Sequence, residues 1–100
     1  MSGRLERQAR EVAALLGRLS NENRLLILCA LEEGPKTVGQ IGERLPSLTR
    51  PALSQHLHLL REGGLVQGEK RGQYVLYSIA DSRLLPLLGT LRRLYCQEEG

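Results

Sequence analysis

Two sets of residues in this 100-residue chain could do chemistry, and they suit different tasks. The first lies in Thr49 to Leu65, TRPALSQHLHLLREGGL. Leu53, Leu57, Leu60 and Leu65 recur at the spacing of one helix face. The other face carries Arg50, Ser54, Gln55, His58 and Arg61, all hydrogen-bonding and none bulky and apolar. Such a face fits the floor of a DNA major groove, where base edges offer donors and acceptors. Ser54, Gln55 and His58 are placed for base edges, while Thr49, Arg50, Lys70 and Arg71 are placed for phosphates or the minor groove. Lys36 is a further cation read as meeting phosphate. His56 stands one residue from His58, a poor spacing for a chelate, and is read as making a local hydrogen bond. The second set is Cys29 and Cys96. Read from its apolar surroundings alone, LLILCAL, Cys29 is buried and inert. Cys96 has Arg92 and Arg93 within a turn, and nearby cations favour a reactive thiolate.

The elements that must position these residues follow from periodicity and caps. Leu5, Ala9, Val12, Leu16 and Leu19 form a heptad-like seam on a first helix too short to be stable alone. Ser20 is the expected N-cap of a second helix, whose segment Leu25 to Leu31 is apolar all round and reads as the buried centre. Gly34-Pro35 stops it. Thr37 and Gln40 form a capping box opening a short helix through Leu45. Pro46-Ser47 breaks the chain. Thr49 then caps the polar-faced helix, Pro51 sits in its first turn, and Gly63-Gly64 ends it at positive φ. Helix, short turn, helix is a helix-turn-helix arrangement.

Beyond Gly64 the period changes to two. Val66 opens one strand and Gln73 to Ile79 forms another, with Lys70-Arg71-Gly72 as a basic hairpin tip. A two-stranded hairpin must pack on the helices to persist, so it reads as a wing. Asp81 caps a last segment in which Leu84, Leu88, Leu91 and Tyr95 make a second seam, read as dimer core and not as a ligand pocket. Pro86 predicts an irregular first turn or kink there. The expected fold is mostly α with a β-hairpin wing, a winged helix-turn-helix in a single domain over residues 1–100.

The net charge of +3 allows an anionic partner but is too small for a nonspecific polycation, so binding must come from placement. No apolar run could span a bilayer, and the N-terminus lacks a signal core. The expectation is a cytoplasmic protein without membrane contact or cofactor, with thiols at rest.

The order of elements, with LSNENRLLIL, PALSQHLHLLREGGLV and the wing ending in YSI, resembles the ArsR family of winged-helix repressors over about residues 10 to 97. The resemblance implies a homodimer joined through first and last helices and bound to a double-stranded DNA operator. It also implies what is missing. The family's Cys-x-Cys metal motif would fall in Lys36-Thr37-Val38-Gly39-Gln40, which has no ligand, and the last helix has no His for the other metal motif. Cys29 in R-L-x-I-L-C and Cys96 in L-Y-C instead resemble the cysteines of the dithiol, persulfide-responsive branch, the BigR, SqrR and HlyU type. The chain departs from that pattern by one extra residue around Pro46-Ser47 and by Pro51. On this resemblance Cys29 and Cys96 sense reactive sulfur species or oxidants by forming a bridge. The competing readings are a family member with inert cysteines or a metal signal, a thiol-transfer enzyme using Cys96, and a winged-helix module for protein partners. Absence of C-x-x-C weighs against the enzyme, and the basic wing against the protein module.

Overall fold

The computed structural model describes residues 2–95. Helix α1 (Ser2–Leu19) leads to α2 (Glu22–Glu32), a two-residue strand β1 (Lys36–Thr37), α3 (Val38–Arg44) and α4 (Arg50–Glu62). Strands β2 (Val66–Arg71) and β3 (Tyr74–Ile79) follow, and α5 (Leu84–Tyr95) closes the order. This is the expected winged helix-turn-helix, with one strand more than expected.

The caps explain most boundaries. Asn21, not Ser20, caps α2: its Oδ1 accepts from Arg24 N–H at 3.0 Å, the third residue on, which Ser20 stands one position too early to serve. The Thr37–Gln40 capping box is complete, with Gln40 N–H donating to Thr37 Oγ1 at 3.2 Å and Thr37 N–H to Gln40 Oε1 at 2.9 Å. Thr49 Oγ1 accepts from Ala52 N–H at 3.2 Å. At the end of α4 only Gly64 uses positive φ (+79°); Gly63 keeps a helical φ of −79°. Asp81 Oδ1 accepts from Arg83 N–H, and α5 starts at Leu84. That late start puts Pro86 in the first turn, where a missing N–H costs no intrahelical bond.

The wing hairpin β2–β3 belongs to a three-stranded antiparallel sheet ordered β1-β3-β2. Lys36 pairs with Tyr77 and Thr37 with Leu76, so the sheet is tied to the start of α3. In the hairpin, Val66 opposes Ile79 and Arg71 opposes Tyr74. Lys70 and Arg71 are thus paired strand residues, and the tip is Gly72-Gln73. Gly72 at φ +62° before a residue of negative φ is the pattern of a type II′ turn. At Gly68 a Cβ would lie 2.9 Å from Val75 Cγ1 and 3.2 Å from Tyr77 Cε1, so this position has no room for a side chain.

Leucine and isoleucine fill the core. Ile27, Leu28 and Leu31 of α2 meet Ile41, Leu53, Leu57 and Leu60 from the helix-turn-helix, with Leu15, Leu19, Leu65, Leu84 and Leu88 around them. Each such side chain contributes about 1.5–3 kcal/mol when fully buried. The expectation that α2 is buried all round fails: Leu26 is 38% exposed and Cys29 is exposed, because the surrounding helices leave that side of α2 open. The α1 seam divides likewise. Leu15 and Leu19 are buried, whereas Leu5, Val12 and Leu16 are at least half exposed. On α5, Leu84 and Leu88 belong to this core, and Leu85 and Leu94 face outward. Among the described residues no helix is long and apolar enough to cross a membrane.

Candidate nucleic-acid interface and thiol groove

Helix α4 buries Leu53, Leu57 and Leu60 and turns Arg50, Ser54, Gln55, His58 and Arg61 outward. Fixing one face in the core therefore sets the direction of the other. Leu59, 46% exposed, joins the outward face; an apolar side chain there suits a thymine methyl. In the sequence a lone leucine beside the core stripe is indistinguishable from core. Glu62 also lies there, its carboxylate 3.3 Å from His58 Nε2. His56 does not make the expected hydrogen bond at Nδ1, which is buried without a partner among the described residues.

The cations separate by their partners. Lys36, expected to meet phosphate, has its Nζ 3.2 Å from Glu33, which Arg44 also contacts. Those two cations, Lys36 first, hold the Glu33 carboxyl below its usual pKa. Arg71 sits 3.3 Å from Glu69, and that hydrogen-bonded carboxylate raises the guanidinium pKa. Lys70 and Arg50 are exposed and have no ion pair among the described residues. Arg50 stands at the mouth of a cleft of about 400 Å³ between α3, α4 and strand β3.

The exposed face of α2 opens on a different hollow. Cys29, Leu25 and Leu26 line one wall of a groove of about 650 Å³, and Leu88, Leu91 and Arg92 of α5 line the other. Leu88 and Leu91, expected in a dimer core, line this groove in the single chain. Arg92 was expected to serve Cys96. Its guanidinium lies 3.0 Å from Glu32, whose side chain is 11% exposed, at the rim of the Cys29 groove. Cys96 itself lies outside the described residues. Among those residues, no group of three or more His, Cys, Asp or Glu could hold a metal ion.

Residues 21–67 match the bacterial regulatory protein, arsR family. The chain belongs to the ArsR family. It is 40% identical over 93 residues to the transcriptional activator HlyU of Vibrio cholerae, covering 93% of this chain and 85% of that protein. It is 34% identical over 95 residues to the biofilm growth-associated repressor of Xylella fastidiosa, covering 95% of this chain and 82% of the relative. The solved structure of reduced HlyU from Vibrio cholerae superposes with a TM-score of 0.86 at 39% identity, over 94% of this chain and 98% of that one. The chain is accordingly a DNA-binding transcriptional regulator. In helix-turn-helix regulators the second helix of the motif enters the major groove.

Proposed function

We propose that this ArsR-family member is a cytoplasmic, homodimeric, single-domain repressor whose hold on its operator is released when reactive sulfur species or oxidants join Cys29 to Cys96. The observation that carries the reading is the exposure of Cys29 on a helix otherwise built for the core. An exposed thiol can meet a reagent that a buried one cannot. The groove beside it is shared with Leu91 and Arg92, which precede Cys96 by five and four residues in the chain. The half-exposed Leu5, Val12 and Leu16 of α1, with Leu85 and Leu94 of α5, give a second copy an apolar surface to cover.

The chemistry balances without a metal. One thiolate takes the terminal sulfur of a hydropersulfide RSSH, forming Cys–S–SH and releasing RS⁻. The second thiolate attacks the inner sulfur of that persulfide, closing the disulfide and expelling HS⁻. If both cysteines are persulfidated first, the same attack by a persulfide anion gives a trisulfide and again HS⁻. Either bridge draws the chain beyond α5 toward α2. In a dimer joined through α5 the two α4 helices then lose the spacing of one DNA turn, about 34–36 Å, that adjacent half-sites require. A coupling of about 1–3 kcal/mol suffices to release the operator.

The test is mass spectrometry after persulfide treatment, run beside a gel shift on the same sample. The parent protein should lose two thiol hydrogens, with one sulfur gained if the bridge is a trisulfide, and release its promoter DNA. Cys29→Ser and Cys96→Ser should each stay bound, and reductant should restore the parent. Release of either single variant as readily as the parent would sink the dithiol switch and leave a repressor with bystander cysteines.

A further inference from the structure

The cleft at Arg50 sets a cation that has no ion pair among the described residues beside several hydroxyls. Its walls are Thr37 and Gly39 at the start of α3, Arg50 at the start of α4, and Gln73, Tyr74 and Tyr77 from the wing. These walls offer a guanidinium, three hydroxyls and an amide, and no Asp or Glu lines the cleft. Lys36, Arg44, Arg71, Arg83 and Arg92 each lie against a carboxylate. Arg50 does not, and its guanidinium lies over Gly39, where a Cβ would sit 3.7 Å from Nη2. Tyr74 is 54% exposed, and its hydroxyl has no hydrogen-bond partner among the described residues. It stands directly across the strand pair from Arg71. Arg50 precedes Ser54 and His58 by one and two helical turns, so it shares their face.

An acid-free cleft with one uncompensated cation and several hydroxyls fits a group that is anionic and rich in acceptor oxygens. Because it lies where the reading helix meets the wing, the group nearest at hand is the nucleic-acid backbone. We propose that the cleft seats one backbone phosphate of duplex DNA, the Arg50 guanidinium supplying the charge and the Tyr74 hydroxyl a hydrogen bond to the same phosphate. The seat locks the wing to the reading helix on the duplex and makes Tyr74 a DNA-binding residue. This rests on the DNA-binding reading of the chain, not on the thiol switch.

Because a phosphate contact is independent of base sequence, the test needs no operator. The probe is a fluorescein-labelled mixed-sequence duplex of about 30 base pairs, read by anisotropy across a salt series. Tyr74→Phe should weaken binding about tenfold, the scale of one hydrogen bond to a charged group, and leave the salt slope unchanged. Arg50→Gln should weaken it at least as much and flatten the slope of log K against log salt by about 0.9. The double variant should lose less than the product of the two, since both act on one phosphate. Gly39→Glu, which sets a carboxylate beside Arg50, should resemble Arg50→Gln. Parent-like binding by Tyr74→Phe or by Gly39→Glu, or fully multiplicative losses in the double variant, would overturn the seat and leave DNA binding intact. Displacement of the duplex by millimolar inorganic phosphate at fixed ionic strength would assign the cleft to free phosphate and also overturn it. A parent protein that binds no duplex would overturn the DNA-binding reading and this inference with it.

Discussion

Two hollows among the described residues each hold one arginine and use its charge in opposite ways. The cleft between α3, α4 and the wing holds Arg50 with no acid on its walls. The groove between α2 and α5 also holds one arginine, Arg92, but Glu22, Glu32 and Glu33 share that groove and Glu32 pairs with Arg92. The first therefore keeps a positive field for an incoming anion. The second has spent its cation on an internal pair and shows mainly Leu25, Leu26, Leu88 and Leu91 around Cys29. Net charge does not reveal this division, because +3 is the sum over both. What decides the role of a cation is whether the fold brings it a carboxylate.

The largest expected effect tests whether the exposed apolar surface on the α1 side is a subunit seam. Leu16 is 50% exposed, so Leu16→Glu should leave the monomer folded while placing a charge in the seam. Light scattering should then show the monomer mass, and operator affinity should fall by about 100-fold or more as bivalent engagement of two half-sites is lost. A Leu16→Glu protein that keeps the dimer mass would remove α1 from the interface.

The reading face gives the next effect. Gln55→Ala should cost about 1–3 kcal/mol on the operator if the amide contacts its base in bidentate fashion. Binding to mixed-sequence duplex should change little. Equal losses on both DNAs, compared by anisotropy, would move Gln55 from base reading to backbone contact.

Much of this arrangement was legible in the chain itself, and the parts that were not share a cause. Thr37 with Gln40, and Thr49 with Ala52, state the starts of α3 and α4 through bonds that span three residues. The polar stripe of α4 is readable because its period is local. Strand β1 is two residues long, carries no period, and finds its partners Leu76 and Tyr77 about 40 residues later. Arg92 and Glu32 are 60 positions apart, so no local pattern ties one to the other. Cys29 looked buried because a run of apolar residues says nothing about which side of a helix its neighbours cover. Ser20 and Asn21 are both good caps, and only the geometry of Arg24 N–H chooses between them.

On the wing, the Glu69 carboxylate competes with DNA for Arg71. Arg71→Ala should weaken all duplexes alike and flatten the salt slope by about 0.9 if it neutralises one phosphate. Glu69→Gln should act in the opposite direction, strengthening binding about two- to threefold, because exposed ion pairs are worth only about 0.2–1 kcal/mol. An unchanged salt slope in Arg71→Ala would show that its charge stays with Glu69 in the complex and that Lys70 alone serves the wing.

The smallest effect concerns the joint between wing and α5. Asp81 is held by Arg83, whose guanidinium donates to Oδ2 at 2.6 Å and whose backbone N–H donates to Oδ1 at 2.9 Å. The Arg83 side-chain bond, helped by that N–H, lowers the Asp81 carboxyl from 3.8 to about 2. A folded pKa below the unfolded one means the carboxylate stabilises the fold above the unfolded value and loses that contribution as pH falls through the folded one. The window is therefore about pH 4 down to about pH 2. The full shift would be worth more than 2 kcal/mol, but Arg83 is 55% exposed and screened by solvent, so about 1 kcal/mol is expected. Urea unfolding of Asp81→Asn should show that loss at pH 7 and a gap that closes on approach to pH 2. A gap that stays constant across this range would mean that the Asp81 charge contributes nothing, and no gap at all that Asp81 acts only as a neutral cap, which an asparagine largely replaces.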